Sequence, residues 1–287
     1  MRFKWEYPVF FGLLVAVAAT VVSCSKDSTS PTPAAVIRDE PQLAQQKLLD
    51  LQDKYGWAGK YHTDALVHIH SKLSHGNPAA SKADKCRAGI VALKEFNKSF
   101  SKDGKSKGVD DEFLANEDPC ASTFSTTLQI GTSSGLSPKG AAMVRQIADL
   151  FDSGASSATI VSKVKAIEND ANESLGGFEA GAVVGAGSVA ISSAQYWSAN
   201  LASWRTPSPA GTSASLQIPL IGRSSVSLVN PAAGGPRLDE SAESGGGIGK
   251  ADFTAFVTSL LAGWWMGGWD IEVAAIRAVI ASMIAAM

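Results

Sequence analysis

An apolar segment close to the N-terminus is the feature that most restricts how this chain can fold. Arg2 and Lys4 precede residues 9–22, a run of 14 residues that are almost all apolar. Crossing a hydrocarbon core of about 30 Å takes about 20 apolar residues, so this segment is too short for a permanent transmembrane helix. A basic start, a short apolar run and a small residue at its end predict a signal peptide, residues 1–23, that is removed.

The residues at the predicted cleavage point have a specific pattern. Val21, Val22 and Ser23 precede Cys24, and together they resemble the lipobox of bacterial lipoproteins, although Leu is commoner than Val at the first position. The resemblance implies cleavage before Cys24 and attachment to a membrane through lipid, including palmitate, on that cysteine. It also implies an outer-membrane lipoprotein on the periplasmic or surface-exposed face. The alternative is an ordinary signal peptide followed by an incidental cysteine.

The residues after Cys24 have the composition of a flexible tether. Residues 25–35 read SKDSTSPTPAA, and a polar, proline-rich segment of this kind cannot bury enough apolar surface to fold. We therefore expect residues 24–35 to link the lipid to a domain. Lys26 and Asp27 also resemble the start of the surface-export signals of some Gram-negative lipoproteins, although only one acidic residue is present.

Length and charge limit the mature chain further. Removing 23 residues leaves 264, which is enough for a substantial hydrophobic core. The removed segment contains Arg2, Lys4 and Glu6, so the mature chain keeps 23 basic and 26 acidic residues, a net charge of −3. This balance does not indicate a nucleic-acid partner.

Two cysteines remain once Cys24 is assigned to lipid. An exported chain enters an oxidising compartment, where two remaining thiols usually pair, so we predict a Cys86–Cys120 disulfide. The alternative is two buried free thiols. The disulfide would close a loop of about 35 residues and stabilise the fold by about 3–4 kcal/mol in the chain-entropy model.

Apolar residues recur at helical spacing through most of the chain, which predicts an all-α, irregular helical bundle at residues 36–205. The first helix covers residues 39–55, and the second has Thr63 as N-cap and ends at Ser74. The third starts at Asn77-Pro78. Two helices that begin near Ser137 and Ser156 are joined by a short turn at Gly154 and predict an antiparallel pair. A helix rich in small residues follows, with Gly177, Gly181 and Gly185 on one face.

The rest of the chain divides into two segments. Residues 206–250 are rich in proline, glycine and serine and predict a linker. Residues 251–287 are the most apolar part of the mature chain and divide at residues 267–270 into two arms, which predicts a helical hairpin. Neither arm reaches about 20 apolar residues. The hairpin either packs on the domain or inserts into a membrane.

Four histidines, His62, His68, His70 and His75, lie within 14 residues and suggest a metal site. On one helix His68 and His75 would be two turns, about 10 Å, apart, so one ion could not bind both. Asp64 and His68 have the i,i+4 spacing that can chelate and are weak metal candidates. The favoured interpretation is a polar helix face, with no metal and no cofactor.

Other apparent motifs fail on their spacing. Residues 245–250 (GGGIGK) resemble the end of a phosphate-binding loop, but Ser244 stands where that motif has its first glycine, and Ala251 replaces the metal-binding hydroxyl. We therefore expect no nucleotide partner. No Gly-x-Ser-x-Gly motif and no plausible Cys–His pair is present, so we predict no catalytic residues.

Three functional hypotheses remain. The preferred one is a lipid-anchored envelope or surface protein with a non-enzymatic binding or structural role and an unidentified protein partner. Its body resembles uncharacterised helical envelope lipoproteins at residues 55–57 with 61–62 and at residues 188–190 with 193–197, a resemblance that implies no activity. The second is a membrane-active protein whose C-terminal hairpin inserts into a bilayer. The third is a metal-dependent enzyme that uses the His62 to His75 cluster.

Overall fold

The computed structural model describes residues 40–77, 79–100, 120, 130, 134–205, 242–263 and 271–287. All regular secondary structure within these ranges is helical, which confirms the all-α prediction. The predicted signal peptide, Cys24, the tether and most of the predicted linker lie outside the described residues. The helices are α1 Glu40–Tyr55, α2 Trp57–Ser74, α3 Lys82–Ser99, α4 Pro138–Asp152, α5 Ser157–Ser174, α6 Gly177–Arg205, α7 Ala242–Gly263 and α8 Ile271–Ala286.

Helices α1 and α2 are separated by Gly56 alone, whose N–H donates to the Gln52 carbonyl at 2.8 Å. The predicted start of α2 at Thr63 is wrong, because the helix already begins at Trp57. The aromatic packing explains the earlier start: the rings of Trp57 and Tyr61 lie 6.3 Å and 5.1 Å from that of Phe100. The first two turns of α2 are therefore held by tertiary contacts that its sequence does not indicate.

Helix α3 begins later than predicted. Ser81 is the N-cap, because its side chain accepts a hydrogen bond from the Asp84 N–H. The predicted start at Asn77-Pro78 is therefore wrong. Cys86, on the buried face of α3, forms the predicted disulfide with Cys120, and the two Cα atoms are 5.9 Å apart. Residues 101–119 lie outside the described residues.

The predicted antiparallel pair of α4 and α5 is confirmed. Ser137 accepts a hydrogen bond from the Gly140 N–H at 3.2 Å, and Ser156 accepts one from the Thr159 N–H at 3.2 Å, so both hydroxyls are N-caps. Gly154 has φ +66°, the left-handed conformation that favours glycine after a helix. Local capping signals therefore determine this pair.

Helix α6 is the long central helix, and its small residues allow close packing. A methyl group added at Gly59 of α2 would overlap the backbone carbonyl of Ser188 on α6. The same contact carries two hydrogen bonds: Ser192 Oγ donates to the Gly59 carbonyl at 2.5 Å and lies 2.6 Å from Thr63 Oγ1. Glycine thus lets the backbones of α2 and α6 approach until serine and threonine bond across the interface.

Helix α7 begins at Ala242, inside the segment that its composition assigned to the linker, so the predicted boundary at residue 250 is wrong. Glycine disfavours a helix, but Ile248, Asp252 and Phe253 are buried, and the Phe253 ring lies 6.2 Å from that of Phe151 on α4. Tertiary packing outweighs the low helix propensity here.

The predicted apolar hairpin is formed by α7 and α8, and it packs against the other helices. The structure groups residues Asp39–Met287 into one compact unit. Helix α8 is buried along most of its length against α2, α3, α6 and α7; Met283, for example, fills the space where Gly89 of α3 has no side chain. Among the described residues, no helix has the length and hydropathy needed to cross a membrane.

Candidate functional site: a buried polar cluster

All four histidines lie on or at the end of α2 but point into different environments. His62 and His70 are buried, and His68 is partly exposed. His75 is the C-cap residue, and its Nδ1 lies 2.6 Å from the Ser71 carbonyl. The helix therefore disperses the histidines, and the arrangement does not bring the four imidazoles to one point.

The two weak metal candidates make separate contacts. Asp64 pairs with Lys60 one turn earlier, whereas His68 Nε2 lies 3.9 Å from a carboxylate oxygen of Glu95 on α3. Burial, and then the nearby charge of Lys72, lower the pKa of His68 against the opposing effect of Glu95. Within the described ranges, no three His, Cys, Asp or Glu side chains are placed to hold a metal ion.

The main polar site is instead inside the core, where four helices meet. His62 of α2, Asp252 of α7 and Ser282 of α8 have no exposed surface, and Ser193 and Trp197 of α6 are also buried. We call these five residues the buried polar cluster. Its members come from helices that are far apart in the sequence, and it joins the C-terminal hairpin to the rest of the bundle.

One carboxylate oxygen organises the cluster. Asp252 Oδ2 accepts hydrogen bonds from Ser193 Oγ and from Trp197 Nε1, the latter at 2.9 Å, and lies 3.2 Å from His62 Nε2. In the tautomer that carries its proton on Nε2, the His62 ring donates to this oxygen. Ser282 Oγ completes the cluster, 3.0 Å from His62 Nε2 and 3.2 Å from Trp197 Nε1.

Two buried polar atoms of the cluster, His62 Nδ1 and Asp252 Oδ1, have no hydrogen-bond partner among the described residues. A buried polar atom without a partner lowers the stability of the fold. Removing one of the groups that do bond to Asp252 would therefore leave the buried carboxylate with less compensation for its lost hydration. The cluster therefore joins the hairpin to α2 and α6 through polar contacts as well as through apolar packing.

The cluster contains a serine, a histidine and an aspartate, but its geometry differs from that of a catalytic triad. In a triad the serine and the carboxylate bind opposite nitrogens of the imidazole. Here Ser282 Oγ and Asp252 Oδ2 both lie at Nε2 of His62, and none of the three side chains has exposed surface. A substrate could not reach the serine, so the arrangement fits a structural role.

Aromatic side chains close the cluster at the end of α6. The ring of Trp197 is T-shaped against those of Tyr196 and Trp204, at 4.9 Å and 5.4 Å. The Tyr196 hydroxyl accepts a hydrogen bond from Trp204 Nε1 at 2.8 Å, and burial raises the pKa of Tyr196. His70 Nε2 lies 3.2 Å from the Ser203 carbonyl, and burial lowers its pKa. These contacts keep water away from the indole that binds Asp252.

A second buried carboxyl lies between α1, α5 and α6. Glu168 of α5 is 3% exposed, and its Oε2 accepts a hydrogen bond from Gln52 Nε2 of α1 at 3.3 Å. Desolvation raises the pKa of Glu168 to about 7, although the Gln52 hydrogen bond and the charge of Lys165 act in the opposite direction. This group is therefore poised to change its charge near neutral pH.

Sequence reasoning missed Asp252, Ser282 and Glu168. Asp252 and Ser282 are polar residues within the two most apolar arms of the chain, and that contrast is the signal that could have identified them. Glu168 sits among charged residues of α5 and carries no such signal. The partner of each group comes from a helix distant in sequence, which a single sequence does not reveal.

Comparison with known proteins gives no further guide to this site. No protein family model, no curated protein and no solved structure matches the chain.

Proposed function

We propose that this chain is an exported bacterial lipoprotein, anchored through lipid on Cys24, whose helical body has a non-enzymatic binding or structural role at the envelope. The observation that carries the proposal is the use of its cysteines. The sequence contains three, and the disulfide takes Cys86 and Cys120. Cys24 is left, and it stands directly after an apolar segment and a small residue, where lipid attachment requires it.

The disulfide supports an oxidising destination. Disulfides persist in exported proteins and are rare in the reducing cytosol. This agrees with a signal peptide at residues 1–23 and with a tether at residues 24–35. An outer-membrane location, on the periplasmic or the surface-exposed face, belongs to the same proposal.

The buried polar cluster supports the non-enzymatic part. His62, Asp252 and Ser282 are the residues whose chemistry could suggest hydrolysis, yet they are sealed in the core and connect α2, α7 and α8. We therefore give these three residues a structural role: they hold the C-terminal hairpin against the other helices. The surface that binds the unidentified partner is then on the outer helices.

The experiment is fractionation of cells that export the full-length chain or its Cys24→Ala variant, with Ser25→Ala as the matched control. A fatty-acid probe that carries an alkyne reports lipid attachment. We expect the wild type and Ser25→Ala to be labelled and to sediment with membranes, and Cys24→Ala to lose the label. A labelled Cys24→Ala variant would overturn the anchor.

The same variants address the alternative that the hairpin enters a bilayer. Deletion of α7 and α8 would remove much of the core, so a truncated chain is a poor probe. Flotation with liposomes of a Cys24→Ala chain that is exported through an ordinary cleavable signal is better, because the fold stays complete and the apolar residues 9–22 are absent. We expect it to remain at the bottom of the gradient; flotation with the lipid would favour the membrane-active alternative.

A further inference from the structure

Helix α1 buries few of its apolar side chains completely. Among residues 41–55, Leu51 alone is buried, while Leu43 and Leu49 are each about half exposed, at 50% and 51%. Burial of few apolar side chains gives little hydrophobic stabilisation. The attachment of α1 therefore depends to an unusual degree on its polar contacts.

Those polar contacts go mainly to α5. Lys47 Nζ donates to the Asn172 carbonyl at 2.6 Å, and Asn172 Nδ2 donates to the Ala44 carbonyl at 2.7 Å. One turn along each helix, Gln52 Nε2 donates to Glu168 at 3.3 Å. Of these contacts, the one between Gln52 and Glu168 involves an ionisable group that is buried.

The surroundings of Glu168 are poorly suited to a charge. On α6, its Oε1 lies directly against Gly187, where an added methyl group would overlap both this oxygen and Val164. Residues 180–204 of α6 contain no ionisable side chain other than Tyr196. An ionised carboxylate in this position has lost most of its water and gains a single neutral donor in return.

The charged groups on the packed helices do not compensate. On α5, Lys165 is the cation that acts on Glu168, but its side chain is exposed. On α1, Lys47 is engaged by the Asn172 carbonyl, Asp53 is exposed, and Tyr55 packs its ring against Gly181 of α6. The neutral carboxyl is therefore the form that this pocket between three helices accommodates best.

We propose that Glu168 is a pH-sensitive switch for helix α1: the protonated carboxyl holds α1 against α5 and α6, and the ionised carboxylate loosens α1 from the body. The change of state falls near pH 7, because burial raises the pKa of Glu168 to that region. Loosening gives the carboxylate access to water. Its cost in apolar contacts comes from Leu51, which is buried, and from Leu48 and Tyr55, which are partly buried against the core.

Hydrogen exchange of the full-length chain in detergent tests this proposal. Protection factors of the α1 amides, which already exclude the pH dependence of intrinsic exchange, are compared at pH 5.5 and 8.5. We expect protection of α1 to fall at least tenfold more than that of α6 as the pH rises, since each pH unit between the two relevant pKa values corresponds to about tenfold. Glu168→Gln should abolish the pH-dependent part, and the exposed Glu173→Gln on the same helix should not.

A rescue variant covers the case in which Glu168→Gln does not fold. Gln52→Lys places an ammonium group beside the carboxylate and should keep α1 protected at pH 8.5, where the wild type is loosened. Equal protection of α1 at both pH values in the wild type would overturn the proposal. The same loss of α1 protection in Gln52→Lys or in a folded Glu168→Gln variant would also overturn it.

Discussion

His62 and Asp252 lie in contact at the centre of the bundle, with 3.2 Å between the imidazole Nε2 and the carboxylate Oδ2, and neither side chain is exposed to solvent. One belongs to α2 and the other to α7, so the contact ties the C-terminal hairpin to the N-terminal half of the bundle. The hairpin is the most apolar part of the chain after residue 23, yet it meets the rest of the bundle at a group of buried polar side chains.

The first prediction concerns the free energy that depends on this contact. His62→Leu and Asp252→Leu should each lower the free energy of unfolding by about 3–5 kcal/mol, because each leaves a buried polar partner uncompensated. The double variant should cost less than the sum of the two, since it leaves neither group behind. Urea unfolding of the four proteins measures the coupling.

A surface ion pair provides the control for this cycle. Asp64→Asn removes the partner of Lys60, whose side chain is largely exposed, and should leave stability unchanged within error. Strict additivity of the His62 and Asp252 substitutions would show that the contact contributes nothing, contrary to the structure.

The second prediction is the pH dependence that Glu168 gives to stability. Its pKa is about 7 in the folded chain against an ordinary value of 4.5, so the folded state holds this proton more tightly than the unfolded state does. The stabilisation is complete below pH 4.5 and is lost progressively as the pH rises to 7. The loss corresponds to about 3 kcal/mol.

Urea unfolding of the wild type and Glu168→Gln between pH 4 and 8 measures this effect. The stability of the variant relative to the wild type should increase as the pH rises and become constant above about pH 7. Glu173→Gln, an exposed residue on α5, should show no such trend. A constant difference between Glu168→Gln and the wild type across the range would contradict the raised pKa.

The third prediction tests the close packing of α2 against α6. Gly59→Ala should destabilise the protein by about 1–3 kcal/mol, because the methyl group overlaps the Ser188 backbone and the helices must separate. In Gly247→Ala, on α7, the methyl group meets no atom of the described residues within 4 Å, so this change should instead stabilise the fold by about 0.5–1 kcal/mol. Thermal unfolding distinguishes the two. A harmless Gly59→Ala would show that the backbones are not in contact.

The fourth prediction concerns the disulfide. Replacing Cys86 and Cys120 together with alanine should lower the free energy of unfolding by about 2–4 kcal/mol, because the open chain has more conformational entropy when unfolded. Reduction of the wild type should lower its stability by a similar amount and leave the double variant unaffected. If reduction also destabilised the double variant, the loss of stability in the wild type could not be attributed to this disulfide.

These features differ in how far the sequence could predict them. Ser137, Gly154 and Ser156 act within their own helix ends, so the sequence was sufficient to predict α4, α5 and the turn between them. The expectation of export, with two cysteines left once Cys24 was assigned to lipid, likewise predicted their disulfide. Signals that act within a few residues, or that allow one pairing only, can be read from a single sequence.

The incorrect boundaries have the opposite cause. Helix α2 begins at Trp57 because its aromatic rings pack on Phe100, and α7 begins at Ala242, in a glycine-rich segment, because Ile248 and Phe253 are buried by other helices. Tertiary contacts overrode local propensity at both places. The pairing of His62 with Asp252 could not be predicted for the same reason, since neither residue indicates its partner.

The central claim is that Cys24 carries the lipid that anchors the mature chain. The most direct measurement is mass spectrometry of the N-terminal peptide from the protein purified from bacterial membranes. We expect a peptide that begins at Cys24 and has the added mass of a diacylglyceryl group on the cysteine sulfur. An unmodified Cys24, or a peptide that still contains Ser23 joined to Cys24, would contradict it.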